Sequence, residues 1–184
     1  MVLGEGAGIL VIESEAHVQR RAVSPIVELA GYGATSDACD LLRPEPASAA
    51  RAMECALADA GLEPRAVDYV NAHGTGTILN DINEYIALEK LFGARARDMP
   101  VSSTKPIHGH TLGAAGAIEL VVTVRALQDQ IVPPTLNWLA SDPKCPLDPV
   151  ANVARRHPIA VALSNSFAFG GINACLVVRT APEA

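Results

Sequence analysis

AVDYVNAHGTGTILNDINEYIALEKLF, residues 66–92, changes its periodicity halfway along. Residues 67–71 form a short apolar run of the length and composition of a buried strand. From Asp81 onward apolar residues recur at helical spacing, and Asp81 followed three places later by Glu84 has the form of a capping box. His73 lies between the two, at the edge of a glycine-threonine cluster. A histidine where a strand gives way to a loop occupies a common place for chemistry in α/β folds.

The rest of the chain repeats this alternation. Residues 8–14 (GILVIES) read as a strand and residues 15–22 as a short helix. Residues 24–35 read as a second strand that ends in glycines. Residues 47–60 are an alanine-rich helix closed by Gly61, a residue type favoured just past a helix end. Residues 99–103 are a short strand, 113–128 a long helix dense in Ala, Val and Leu, and 133–150 a proline-punctuated loop. Residues 159–167 and 172–179 are two strands joined by AFGG as a hairpin. Helices alternating with apolar strands, with a hairpin at the end, predict an α/β fold: a mixed sheet covered by helices on both faces.

Composition narrows the function classes. A chain of 184 residues with 49% apolar residues is long enough for one substantial core. No run has the length of a membrane-spanning helix, and no secretion signal is visible. The four cysteines, Cys39, Cys55, Cys145 and Cys175, lie far apart without a CxxC pair, which argues against a disulfide scaffold or zinc knuckle and fits a reducing cytoplasm. A net charge of -6 with 4% aromatic residues gives no sign of a nucleic-acid surface.

Two further clusters carry polar groups. In SSTKPIHGHTLGAAG, residues 102–116, Lys105, His108 and His110 precede a helix whose small residues allow close backbone packing. Within that helix Glu119 has Ala115, Gly116, Val122 and Thr123 as neighbours at helical spacing. A carboxylate on so apolar a face is expected to be buried, and then needs a cation or several donors; Lys105 or a bound monovalent cation could serve. In SNSFAFGGINA, residues 164–174, the pair Gly170–Gly171 allows a tight turn, and alternation places Phe167 and Phe169 on one side if the chain is extended there.

Taken in order, NAHGTGT, SSTKPIHGHTLGAAG and NSFAFGGIN resemble the carboxy-terminal half of β-ketoacyl-acyl-carrier-protein synthases, the KAS I/II type of condensing enzyme in the thiolase-like superfamily. VLGEGAGILVIES is similar to the segment that closes the family's amino-terminal half, so residues 1–24 would end that half and 25–184 form the carboxy-terminal domain. The resemblance implies a thiolase-like fold and decarboxylative Claisen condensation of an acyl thioester with a malonyl thioester, in fatty acid biosynthesis. It implies His73 and His110 as donors to the developing enolate, Lys105 as the lysine setting the field around the second histidine, and Phe169 as a gate whose N–H completes an oxyanion hole. Thr75 and Thr77 would bond the pantetheine arm, beside Phe167, Gly170 and Gly171 as substrate-binding residues. Glu119 would organise the site, with Asn71, Ser164 and Asn165 as its partners in a monovalent cation site. No cofactor is implied. The implied partners are an acyl carrier protein, the amino-terminal half and, in full-length form, a second copy; Arg20, Arg21, Arg43 and Arg51 are the basic groups an acidic carrier could meet.

The family's nucleophilic cysteine lies in a segment resembling DTACSS, upstream of GEGAG, and has no counterpart here. Met1 falls where full-length members have an internal residue, which reads as a truncation, a misassigned start or a split subunit serving chain length or assembly in a polyketide or nodulation-type synthase. Cys39 stands in a loop with no base or helix amino terminus to activate it. GEGAG precedes a strand rather than a helix, which excludes a dinucleotide loop. HGH has no acidic or cysteine companion, so His108 reads as structural and no catalytic metal is expected.

Overall fold

The computed structural model describes residues 1–181. After an extended arm comes helix α1 (Glu15–Arg21), then strand β1 (Val27–Ser36), helix α2 (Pro46–Asp59), strand β2 (Tyr69–Asn71) and helix α3 (Ile78–Phe92). Strand β3 (Val101–Ser102), the single-turn helix α4 (Lys105–His108) and helix α5 (Ala115–Asp129) follow. Strands β4 (Ile131–Val132), β5 (Arg155–Arg156), β6 (Val161–Ala168) and β7 (Ile172–Thr180) complete the chain. The main sheet has the order β1-β7-β6-β2-β3; β1, β7 and β6 run antiparallel, while β6, β2 and β3 run parallel. The sheet is therefore mixed, and β4 with β5 forms a separate two-stranded ribbon.

Alternation along the central strands sends residues to two layers. Val70, Leu163, Cys175 and Val177 pack under α2 and α3. Tyr69, Ala162 and Val178 pack under α5 with Leu120 and Leu127. Helix α5 presents Ala115, Glu119, Leu120, Thr123, Ala126 and Leu127 as one buried stripe at helical spacing. Among the described residues no helix is long and apolar enough to cross a membrane.

Helix α2 starts with Pro46 at its first position, where the missing N–H costs nothing, and Glu45 accepts a bond from Ala47 N. Its alanine face lies flush on β1 because that strand carries Gly31 and Gly33 there. A Cβ at Gly33 would sit 2.1 Å from Ala52 O and 2.5 Å from Ala56 N, both backbone atoms that cannot swing aside. Gly33→Ala is accordingly expected to cost about 1–3 kcal/mol through overpacking, read as a lowered urea midpoint. Gly113→Ala, where nothing stands within 4 Å, serves as the neutral control. On the outer edge of β1, Asp59 at the end of α2 accepts the Tyr32 N–H at 2.9 Å.

Several sequence expectations need correction. Residues 8–14 are not a strand: Ile9 and Val11 are 89% and 90% exposed, and no described strand pairs with them. An apolar alternating stretch becomes a strand only where a partner supplies the ladder. Helix α3 begins at Ile78, with Thr77 as its N-cap residue, three positions before Asp81. The capping box does not form; Asp81 accepts from Gly76 N, and Glu84 turns back toward the histidine loop. Helix α4 and strands β4 and β5 were not anticipated, being too short for periodicity to declare them.

Candidate active site

Strand β2 ends at Asn71, and the chain leaves the sheet through His73 into a loop where Gly74 and Gly76 have φ of 42° and 69°. Two opposite charges hold the His73 backbone. Glu84 on α3 accepts His73 N and Gly74 N, each at 2.9 Å, one on each carboxylate oxygen. The Lys105 ammonium donates to His73 O and to Glu119 Oε1. Lys105 and Glu119 form a buried ion pair, with side chains 4% and 1% exposed. Asn165 adds a third donor to Glu84 at 3.2 Å. The sequence assigns Glu84 to a helix cap, although Leu88 four places on and Ala87 three places on put it on the buried stripe of its helix.

His110 follows α4 after the turn at Gly109, and its ring meets that of His73 nearly at right angles (82°), with centroids 5.4 Å apart. The Phe167 ring is tilted at 57° to that of His73, with centroids 5.7 Å apart. Burial, then the Lys105 charge, then His110 push the His73 imidazole down to about 3. Burial and Lys105 lower His110 in the same direction. Both rings are neutral at physiological pH. His110 Nδ1 accepts Leu112 N at 3.2 Å, which places its proton on Nε2 and leaves Nε2–H free to donate. His108 is locked differently: Nδ1 bonds Gly109 O at 2.8 Å and Nε2 bonds Thr104 Oγ1 at 3.0 Å, so both its nitrogens are occupied.

A cleft of about 470 Å³ opens beside these groups, lined by Gly74, Thr75, Lys105, His108 and His110 among others. The Thr75 hydroxyl borders it and bonds the Thr77 hydroxyl at 2.9 Å. The third cluster is arranged otherwise than expected. Strand β6 ends at Ala168, so alternation stops before Phe169, which is 73% exposed in the turn while Phe167 faces His73. Gly170 N donates to Leu41 O and Gly171 N to Ala168 O, so neither glycine N–H is free for a ligand. A Cβ at Gly171 would also strike Asp37, and Asp37 in turn accepts from Asn173. The glycine pair thus ties the hairpin to the loop after β1. Of the four arginines, Arg21 is paired with Glu13, and Arg20 contacts His17; all four are exposed.

Among the described residues four buried side-chain oxygens have no hydrogen-bond partner, Asn71 Oδ1, Thr111 Oγ1, Glu119 Oε2 and Asn165 Oδ1, and neither has His73 Nδ1. The Asn71 amide nitrogen is used, donating to Glu119 O and Thr123 Oγ1 at 3.1 Å each. Ser164 is buried opposite Asn71 in the β2–β6 register. Orphaned acceptors are rare in folded interiors, and those of Asn71 and Glu119, two residues that a hydrogen bond from the Asn71 amide to Glu119 O brings together, call for a donor or a cation. Burial also raises the carboxyls of Glu84 and Glu119, against the opposing pull of Lys105.

The geometry offers two neutral imidazoles in contact, His110 lining the cleft and His73 buried, with the His73 backbone held by fixed charges. Such an arrangement can donate hydrogen bonds to an oxygen that acquires negative charge. Comparison with known proteins gives the family. Residues 26–139 match the family model "Beta-ketoacyl synthase, C-terminal domain". The chain is 49% identical over 179 residues to "Nodulation protein E" of Rhizobium sp. (strain N33), covering 97% of this chain and 44% of that protein. It is 47% identical over 180 residues to "3-oxoacyl-[acyl-carrier-protein] synthase 2" of Staphylococcus aureus (strain COL), with the same coverage, 97% and 44%. Among solved structures, "The ishigamide ketosynthase/chain length factor" superposes with a TM-score of 0.94 at 38% identity, covering 98% of this chain and 44% of that one. A type II polyketide synthase acyl-carrier protein in complex with its hexaketide-bound ketosynthase gives 0.89 at 37% identity, covering 92% and 42%. The chain spans less than half the length of the curated relatives it matches.

Proposed function

The chain belongs to the β-ketoacyl synthase family, as a carboxy-terminal domain with the thiolase-like fold of ketosynthases, and from that premise we propose that it supplies the malonyl-decarboxylating side of a decarboxylative Claisen condensation. The observation that carries this reading is the pair of neutral, perpendicular imidazoles beside a buried lysine. As the bond to the malonyl carboxylate breaks, carbon dioxide leaves and its electron pair moves through carbon to the thioester oxygen. His73 and His110 donate to that oxygen, which carries more charge in the transition state than in the ground state. The enolate carbon then attacks an acyl thioester, forming the new carbon–carbon bond and releasing a cysteine thiolate. Remaining neutral, the imidazoles need not lose or gain a proton during this step.

The cysteine would come from an amino-terminal half that residues 1–24 adjoin. Thr75 and Thr77 would hold the pantetheine arm of an acyl carrier protein, Phe167 would shape the acyl side beside His73, and the Phe169 N–H would donate to the acyl oxygen; the Gly170 and Gly171 contacts make that pair a support for the turn. The relatives' printed names support a carrier-protein substrate. The place of the reaction would be the cytoplasm, its product entering fatty acid synthesis, and the full-length form a dimer. Incubated alone with radiolabelled acyl-carrier protein, the chain is expected to acquire no covalent acyl group on any cysteine. Mixed with a ketosynthase amino-terminal half, it is expected to restore condensation. A stable thioester at the exposed Cys39, or no condensation in the mixture, overturns the reading. A second reading, a non-catalytic chain-length or assembly subunit, draws support from the likeness to a ketosynthase/chain length factor; binding in the mixture without malonyl decarboxylation would favour it.

The orphaned oxygens of Asn71, Glu119 and Asn165, with Ser164 opposite Asn71 in the strand register, suit a monovalent cation, since hard cations take oxygen ligands. Asn71, Glu119, Ser164 and Asn165 would hold it, and its charge would keep Glu119 ionised. Melting in potassium or sodium chloride is then expected to exceed melting in choline chloride at equal ionic strength, because a ligand of the folded state alone stabilises it. Asn71→Ala should lose the difference. Equal melting in all three salts would exclude the cation.

A further inference from the structure

Gly4, Gly6 and Gly8 stand at every second position of the amino-terminal arm, so in an extended chain they share one face. That glycine face lies on the stretch that carries His110. A Cβ at Gly4 would sit 2.1 Å from His108 O; at Gly6, 2.9 Å from Ile118 Cδ1; at Gly8, 2.8 Å from Ala117 Cβ. The contact at Gly4 is reciprocal: Gly109, at φ 76°, would carry its own Cβ 2.8 Å from Gly4 Cα. Two glycine backbones therefore cross with no room for a side chain on either. Immediately beside the crossing, Leu3 and His110 form an isolated parallel bridge, in which His110 N donates to Val2 O at 2.8 Å and Gly4 N donates to His110 O at 3.1 Å. Both hydrogen-bonding groups of the His110 main chain are thus taken by the arm. Its ring is held from the other side by Leu112 N on Nδ1.

We propose that residues 2–4 are a backbone clamp that positions His110, with Gly4 as the positioning residue and the Gly4–Gly109 crossing as the hinge pin. The proposal rests on the role given to His110 above and adds a segment with no polar side chain to the machinery. Val2 and Leu3 are 77% and 64% exposed, so the arm supplies little core and its removal leaves no cavity. Its contribution is to orientation: a ring whose backbone can drift is one whose Nε2–H no longer points at a fixed place.

The test uses the 184-residue chain and reads nitrogen spectra of the imidazoles together with amide hydrogen exchange. In the unaltered chain His110 is expected to show the Nε2–H tautomer and a protected amide. Removing residues 1–6, and separately Gly4→Ala, should expose that amide to exchange and mix the two tautomers, with the His73 signals unchanged. Gly6→Ala meets only the flexible end of Ile118 and the Thr111 methyl, and should behave as the unaltered chain. A protected His110 amide and an unchanged tautomer after removal of residues 1–6 would overturn the clamp. Loss of the His73 signals along with those of His110 would overturn it too, since the arm would then support the site as a whole. No substrate enters these measurements, so their failure leaves the donor role of His110 standing, and a failed activity test of His110 leaves the clamp standing.

Discussion

Lys105→Met is expected to remove about 3–5 kcal/mol of stability at neutral pH, the usual cost of leaving one partner of a buried ion pair alone. The Lys105 ammonium satisfies Glu119 Oε1 and His73 O at once, in a site almost closed to water. Methionine fills the stem but offers neither charge nor donor. The loss should depend on pH in a definite direction. Burial already holds the Glu119 carboxyl above its ordinary 4.5, and Lys105 pulls against that shift. Without Lys105 the carboxyl rises further. A carboxyl raised in the folded state binds protons that the unfolded chain releases, so its favourable contribution is complete below the unfolded value and is lost as pH rises through the folded one. The deficit of Lys105→Met should therefore be smallest near the acid end of the stable range and largest at alkaline pH. Urea unfolding across that range checks this, and a deficit independent of pH would show that Glu119 is not left charged. Adding Glu119→Gln to Lys105→Met should recover much of the loss, because the two side chains are coupled.

His73→Ala or His110→Ala, each combined with a ketosynthase amino-terminal half, should lower the rate of carbon dioxide release from a malonyl thioester by on the order of a hundredfold or more. Acyl loading on the supplied cysteine should survive both changes, since neither imidazole touches that step in the proposed sequence. Because burial, then Lys105, then His110 hold the His73 ring down at about 3, lowering the pH through 6.5 should leave its contribution in place. A sigmoidal loss with its midpoint near that value would show that the controlling imidazole titrates in its ordinary range. Wild-type decarboxylation by either variant would remove that histidine from the assignment.

How much of this was legible in the sequence depends on the kind of force involved. Strands β6 and β7 and helices α2 and α5 were readable because each buries a periodic apolar face, and period is a property of the sequence. The position of His73 at a strand end was readable for the same reason. Residues 8–14 read as a strand because GILVIES has a strand's composition, while a strand also requires a neighbour, and no described strand pairs with that stretch. Glu84 was misread because a local cap and a buried tertiary acceptor look alike at three-residue spacing. Its neighbours at helical spacing are mixed, Asn80 and Asp81 before it and Ala87 and Leu88 after it, so the apolar surround that marks Glu119 is only half present. The Gly4–Gly109 crossing lay beyond reach, since two backbones a hundred residues apart leave no joint trace in a single sequence.

The bond from Tyr32 N to Asp59 has a consequence for how the molecule keeps to itself. Strand β1 is the open margin of the five-stranded sheet, and an unpaired margin is a template on which a foreign strand can lengthen the sheet indefinitely. At Tyr32 the template is already answered by a carboxylate from the neighbouring helix. An incoming strand must break that bond to gain its own, and the carbonyl it brings to the Tyr32 N–H meets an anion. The carboxylate that ends α2 is thus a stopper against fibre growth, set on the side of the sheet farthest from the histidines.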